Sequence, residues 1–528
     1  MRKVMLLLNL MILVMLSGCS DDEPNGPGPE ASKDVVIFSI SENLGIVELT
    51  WEENRAVDIY RQLGEEGFEC ISKNNTAKFY TDDLKSSPDL TDVSYRVVLS
   101  GGKLSSTEAL LSEKEVTICL LTDEELVDLV QSRTLKYFTD FAHPQSGMAR
   151  ERNASGDVVT TGGTGFGIMA ILAGVNSGFV TQADAYSQIR KITDFLMRIP
   201  RFHGAYAHWY NGATGEVQPF SSKDNGGDIV ETSFLFQGLI TAKEYFKSVG
   251  SGDALQLVED IDKLWKEVEW SHYVKNGKLM WHWSKEYDFQ MNLPIVGWNE
   301  GMMAYVLAAS SPTYPIDKEV YTGGFQNGGS IVCGGMIYSY VLPLGNMQSK
   351  GGPLFFAHYS FLGLDPRGLS DGLCNDYFEQ NRNHTLINMS YCIDNPKNYV
   401  GYSEHFWGLT ASDCPVAGYT AHSPSNDNGT ISPTAAISSM PYTPEESRKV
   451  MKYLYRDLKM LGEYGFYDAV NLSVAPDKQI VKSFLAIDQG PIVVMLENYK
   501  SQFIWNTFMG NADVRRGLER LGFRVSGK

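Results

Sequence analysis

From residue 34 to about residue 120, apolar and polar positions alternate in short runs. Ile46-Val47-Glu48-Leu49-Thr50-Trp51 is one, Ala56-Val57-Asp58-Ile59-Tyr60-Arg61 a second, and Val93 to Leu99 a third, closed by Ser100-Gly101-Gly102. Period-two runs separated by turn residues predict strands, and their regular spacing predicts a small all-β sandwich over 34–120. At Thr122 the period changes. Thr122-Asp123-Glu124-Glu125 has capping-box spacing and leads into Leu126, Leu129 and Tyr137. Helical patterns then recur over Thr181–Arg198, Asp228–Phe246, Ala254–Trp270, Glu300–Ser310, Glu445–Leu461, Pro491–Tyr499 and Asp513–Leu521. Strand-like runs are few. The expectation for 121–528 is a mostly α domain, either a solenoid or a closed α/α barrel. No repeat of about 34 to 47 residues recurs, which disfavours the solenoid.

The N-terminus adds a compartment to this picture. Arg2 and Lys3 precede an apolar run from Val4 to Leu16, then Leu16-Ser17-Gly18-Cys19. The run is too short for a spanning helix and has the layout of a signal peptide. Leu-Ser-Gly-Cys matches a bacterial lipobox, so residues 1–19 read as a lipoprotein signal with Cys19 lipidated. Residues 20–33 read as a flexible acidic, Pro- and Gly-rich tether. Ser20-Asp21-Asp22-Glu23 resembles the surface-export signal of Bacteroidetes lipoproteins. The expected location is the outer membrane, facing the periplasm or the cell surface, with the lipid anchor as the membrane contact. A net charge of −18, with no basic cluster to offset it, excludes nucleic acid as a partner. The six cysteines beyond Cys19 show no zinc-type spacing, so no metal is expected. The reading is of a monomer.

Acidic residues stand at predicted helix entrances beside glycines and rings. Asp224, Asp228 and Glu231 follow one another around Gly226-Gly227; Glu300 lies in Trp298-Asn299-Glu300-Gly301; Asp488 precedes Gln489-Gly490-Pro491. Each has a structural alternative: Asp228 with Glu231 has capping spacing, and Asp488 could be an N-cap. Polar segments also carry His208, Trp209, Trp281, Trp283, Trp298, His358, Tyr359, Trp407 and Tyr467. Rings mixed with hydrogen-bonding groups suit sugars, which present apolar faces and hydroxyl rims, and these residues are the candidate substrate contacts. Glycoside hydrolysis needs one protonated and one ionised carboxyl. No phosphate-binding loop lies in a strand-to-helix context.

Several segments carry a resemblance: TGGTGFGIMAI (161–171), GGDIVETSFLFQGL (226–239), GWNEGMMAYVLAASSPTYP (297–315), GGPLFFAHYSFLGLDPRG (351–368), DNGTISPTAAISSMPY (427–442), EYGFYDAVN (463–471) and AIDQGPIVVMLENY (486–499). In this order they resemble the family described as "putative glucoamylase", which includes the β-1,2-glucanases of glycoside hydrolase family 144. The resemblance covers 122–528 and implies an (α/α)6 barrel with a glycan cleft at one end. It implies inverting hydrolysis of β-1,2-glucan, endo-acting or sophorose-releasing, with Glu300 as general acid and Asp488 as general base. Proton transfer would be relayed through a substrate hydroxyl or water. Asp224, Asp228 and Glu231 would bind or orient sugar, and no cofactor is implied. The strand segments LTW, VDIYR, YTDDL and SYRVVL resemble a fibronectin type III or immunoglobulin-like module. Two alternatives stand beside hydrolysis: a non-catalytic glycan-binding lipoprotein, and a polysaccharide lyase on an α/α barrel.

Overall fold

The computed structural model describes residues 36–41, 45–105, 107 and 109–526; Cys19 and the tether 20–33 lie outside them. The chain divides into two compact units, with the boundary between Ile118 and Cys119.

The first unit holds seven strands in two antiparallel sheets. β1 (Val36–Ser41), β2 (Ile46–Trp51) and β5 (Phe79–Asp83) form one sheet in the order β1-β2-β5. β3 (Val57–Leu63), β4 (Glu69–Asn75), β6 (Asp92–Leu99) and β7 (Leu110–Thr117) form the other, in the order β4-β3-β6-β7. The alternation seen in the sequence decides the faces. Val47, Leu49 and Trp51 are buried from β2, and Val93, Tyr95 and Val97 from β6, while the residues between them are more exposed. Tyr95 donates its hydroxyl hydrogen to Asp82 Oδ2 (2.7 Å), and Arg61 pairs with Asp82 Oδ1 (2.8 Å), so this buried carboxylate is satisfied on both oxygens.

The second unit is mostly helical: α1 (Asp123–Thr139), α2 (Thr161–Asn176), α3 (Gln182–Leu196), α4 (Ile229–Val249), α5 (Gly252–Lys266), α6 (Met302–Ser310), α7 (Lys318–Gly323), α8 (Tyr377–Asp394), α9 (Pro433–Ile437), α10 (Pro444–Arg456), α11 (Ala486–Lys500), α12 (Phe503–Met509) and α13 (Ala512–Leu521). Thr122 caps α1 with the reciprocal Glu125 bond that its spacing predicts. The helices fall into two kinds. α2, α4, α6, α9 and α11 are buried over nearly all their length. α3, α5, α10 and α13 bury one apolar stripe and expose the rest. The starts of three of the buried helices carry acidic residues: Asp228 and Glu231 at α4, Glu300 just before α6 and Asp488 in α11. No described helix is long and apolar enough to cross a membrane.

Candidate active site

A cleft of about 380 Å³ opens among these helix starts. Its wall includes Glu231 and Glu300 together with His208, Trp209, Phe220 and Trp281. Glu151, Arg152, Phe355, Tyr359 and Tyr419 line it as well.

The first acidic group is built by the entry into α4. Gly227-Asp228 pairs as a short antiparallel strand with His282-Trp283. The backbone there runs against the Trp283 carbonyl at Gly226 and the Tyr273 hydroxyl at Gly227, leaving no room for a side chain at either position. Asp228 caps α4: its Oδ1 accepts the Val230 and Glu231 N–H groups, both at 2.9 Å. Its Oδ2 accepts the Trp281 indole N–H (3.1 Å) and lies 3.1 Å from His208 Nδ1. Capping and site-building are therefore the work of one carboxylate. Glu231 does not complete a capping box; its Oε2 accepts the Gly162 N–H at the start of α2 (2.7 Å). Burial raises the Glu231 carboxyl to about 7, with His208 opposing and Asp228 adding to the shift. Burial alone would lower His208, but Glu231, Asp228 and Asp224 outweigh it and raise it to about 9. Asp224 lies just behind, raised to about 6 by burial and Asp228. Gly226 N–H donates to His282 Nε2 (2.9 Å), which fixes the His282 proton on Nδ1.

Glu300 precedes α6 and reaches the cleft, while its backbone carbonyl accepts the Ser360 hydroxyl hydrogen (2.7 Å). Burial raises its carboxyl to about 7, and Glu231 and Asp228 push in the same direction. Asp488 lies in the first turn of α11, fully buried, just behind a wall that includes Leu485 and Ile487. It is not the N-cap of its helix. Leu485 holds that position, which corrects the capping alternative. Asp488 Oδ1 accepts the Tyr359 hydroxyl hydrogen at 3.5 Å. Burial, then the neighbouring Asp468, raise its carboxyl well above the usual range.

His208, Asp224 and Asp228 place ligand-type atoms within 4.8 Å of one another, as do His203, Glu269 and His272. In the first trio His208 Nδ1 lies 3.1 Å from Asp228 Oδ2, and in the second His203 and His272 are stacked at 3.5 Å with roughly parallel rings.

Of the candidate sugar contacts, His208, Trp209, Trp281 and Tyr359 line the cleft. Trp283, Trp298, His358, Trp407 and Tyr467 are not among the lining residues, and each is engaged in packing. Trp298 is 8% exposed, against Phe325 and Phe361; His358 is buried with Nε2 2.9 Å from Ser439 Oγ; Trp407 is fully buried. Trp283 donates to Asp288 and packs edge-on to His203 and His272, and Tyr467 packs on Phe484. A ring beside polar residues in sequence can still point into the core, and these five do not form the lined wall.

Sequence reasoning missed the opposite wall. Arg152 binds Asp413 through two bonds (2.9 and 3.1 Å) and Glu151 through two more (2.7 and 2.9 Å). Ser483 donates to Asp413 Oδ2 (2.7 Å), and the Asp413 N–H donates to Asp468 Oδ2 (2.6 Å). Asp468 sits inside the segment 463–471, where only Tyr467 drew attention. Phe220 and Tyr419 are large rings with 52% and 47% of their surface exposed.

The family model described as putative glucoamylase matches residues 292–512. A crystal structure of a putative glucoamylase from Bacteroides uniformis is 50% identical, covers 77% of this chain and 98% of its own, and superposes with a TM-score of 0.74. An endo-β-1,2-glucanase from Chitinophaga pinensis, solved with sophorotriose and glucose, is 47% identical, covers 76% of this chain and 99% of its own, and has a TM-score of 0.74. The chain belongs to this glucoamylase-like family, of glycoside hydrolase family 144 type. The family also takes in an exo β-1,2-glucooligosaccharide sophorohydrolase (non-reducing end) from Parabacteroides distasonis, 44% identical over 428 residues, or 76% of this chain. The chain spans 58% of that relative's length. The family match starts at 292, so the Asp224–Glu231 wall lies outside it and inside the longer alignments' reach.

Proposed function

We propose that this protein is an inverting glycoside hydrolase of β-1,2-glucan, with Glu300 as general acid and Asp488 as general base. The observation that carries the reading is Glu300: a carboxyl reaching a sugar-sized cleft yet raised to about 7, so that a large share of it carries a proton at neutral pH. A general acid must arrive at the reaction protonated, and burial supplies that. The glycosidic oxygen takes the proton of Glu300, directly or through a substrate hydroxyl, as its bond to the anomeric carbon breaks. Water attacks the opposite face and loses its proton toward Asp488. Protonated His208, braced by Asp228 and Glu231, donates to sugar hydroxyls, and Trp209, Phe220, Trp281 and Tyr419 offer ring faces. The alternation of buried and one-sided helices supports an (α/α)6 barrel, and the two β-sheets support a fibronectin- or immunoglobulin-like sandwich. A purely glycan-binding role leaves the raised Glu300 without a use.

Incubation with linear β-1,2-glucan is expected to release reducing ends with the α anomer formed first, read by NMR. No release, or the β anomer first, overturns the assignment. The free enzyme's kcat/KM should fall through half its value near pH 7 as Glu300 ionises, because the acid is lost as pH rises through its raised pKa. An ordinary glutamate would place that loss near pH 4.5, so a flat profile up to pH 9 contradicts this role.

We also infer an exported lipoprotein held in the outer membrane through Cys19, on the lipobox and the short apolar run before it. Cys19→Ser is expected to move the protein from the membrane fraction to the soluble one; retention on membranes after a salt wash refutes the anchor.

A further inference from the structure

Asp488 has a difficulty as a base. It is fully buried, and burial and then Asp468 push its carboxyl well up, whereas a base must have room for another proton. Beneath it lies Asp468, 2% exposed, which no helix cap or ion pair requires. Asp468 Oδ2 accepts the Asp413 N–H, and the two aspartates lie within hydrogen-bonding reach of each other. Asp468 Oδ1 and Asp488 Oδ2 are the two oxygens of the pair that no ordinary donor satisfies. Two buried carboxyls in contact cannot both be ionised at modest cost, and a proton between them satisfies both orphan oxygens at once.

We propose that Asp468 is the positioning residue of the base: the two aspartates share one proton and act on water as a single unit. The inference rests on the assignment of Asp488 as base. In the resting pair, Asp488 Oδ2–H donates to Asp468 Oδ1. Asp468 is the better place for the negative charge, because the Asp413 N–H points at it and Arg152 lies near. When water attacks the anomeric carbon, its O–H bond breaks and the proton passes to Asp488 Oδ1, the oxygen beside the Tyr359 hydroxyl. The Asp488 Oδ2–H bond breaks in turn, and that proton passes to Asp468 Oδ1. The pair goes from monoanion to neutral diacid, and the glycosidic oxygen leaves with the proton of Glu300. The remaining groups around the pair are fixed by the same network: Asp413 and Glu151 are tied to Arg152, and Tyr359 and Tyr419 enter as neutral hydroxyls. The arrangement needs no oxidant or further co-reactant. It also explains why the Arg152–Asp413–Ser483 network is built around a carboxylate that touches no cleft surface.

The test has a spectroscopic arm and a kinetic arm. With aspartate selectively 13C-labelled at the side-chain carboxyl, infrared titration of the full chain should show a protonated aspartate persisting to about pH 8, above the ordinary carboxylate range. Label selectivity separates it from Glu231 and Glu300. In Asp468→Asn, whose amide oxygen still accepts the Asp413 N–H, the midpoint of that band should fall by about one unit or more, since the ionised neighbour that raises Asp488 is gone. Turnover should fall at least about tenfold with KM held within about threefold, because Asp488 without its partner is the weaker base that the lowered midpoint records. The proposal is overturned if the native protein has no aspartate protonated above pH 7, if the midpoint is unmoved in Asp468→Asn, or if that variant keeps native kcat. The native titration decides the first point even if the variant does not fold. Failure of the base assignment has a different signature: Asp488→Asn would retain turnover whatever the infrared band does.

Discussion

Glu300→Gln and Asp488→Asn are each expected to lose at least about a hundredfold in kcat on β-1,2-glucan, the scale of a general acid or base contribution. The amides keep the size of the side chains and most of their hydrogen bonding, but neither can deliver or take the proton. Folding should survive in both cases, for reasons the structure supplies. Asp488 is not the cap of α11, so an amide there removes no helix-terminus bond. Its amide N–H can also donate to Asp468 where the shared proton did, so the unfolding temperature should hold. At Glu300 the backbone carbonyl, not the side chain, holds Ser360. Loss of activity with unchanged stability is the expected pattern. Near-native kcat in either variant removes that residue from its role, and loss of activity together with loss of fold would make it structural.

The second large effect is on the fold. Gly165 in α2 and Gly238 in α4 face each other where the two buried helices touch through bare backbone. A Cβ at 165 would overlap the Phe234 carbonyl oxygen, and a Cβ at 238 would overlap the Gly165 carbonyl oxygen. Backbone cannot rotate away as a side chain can, so Gly165→Ala or Gly238→Ala must push the helices apart along their whole contact. A loss of about 3 kcal/mol or more is expected for each, at the upper end of overpacking costs. The site should suffer as well, since the Gly162 N–H on α2 holds Glu231 from α4 across this contact. Gly252→Ala is the control. It sits in the first turn of α5 with nothing near its added methyl, and should be neutral or slightly stabilising. Denaturant unfolding reads both; a Gly165→Ala protein of native stability would show that the two helices can separate without cost.

The elements that sequence pattern captured are those whose environment is one-sided. Thr181, at the start of the run read as helical, caps α3, and the last predicted helix, Asp513–Leu521, lies within Ala512–Leu521. Ile46–Trp51 is a strand over its whole predicted length. In each, one face meets the core and the other meets water, which writes a period of 3.6 or 2 into the chain. α2 escaped because it is buried on every side. Its residues Thr161 to Gly174 show no polar stripe, and its five glycines argue against a helix until the close neighbours that require them are seen. α8 escaped for a related reason: it buries Gln380, Asn381, Asn383, His384 and Asn388, polar residues whose partners lie in distant loops. Pro491 suggested a helix beginning there; it lies within the first two turns of a helix that begins at Ala486.

The sequence by itself marked the change of period at Thr122 and singled out the carboxylates Asp224, Asp228, Glu231, Glu300 and Asp488 as candidates, because acids beside glycines at helix starts are a local pattern. Which rings meet the cleft was decided only by tertiary structure. Trp407 and Trp281 look alike as neighbours of histidine and glycine-rich loops, yet one is core and the other donates to Asp228 at the wall. The charge state of the acids was likewise beyond the sequence. Glu300 and Asp488 are ordinary carboxylic acids by composition, and their raised pKa values come from burial and from neighbours such as Glu231 and Asp468 that stand 69 and 20 residues away along the chain. Desolvation and Coulomb energy depend on distances through space, and those are set only when the helices close around the cleft.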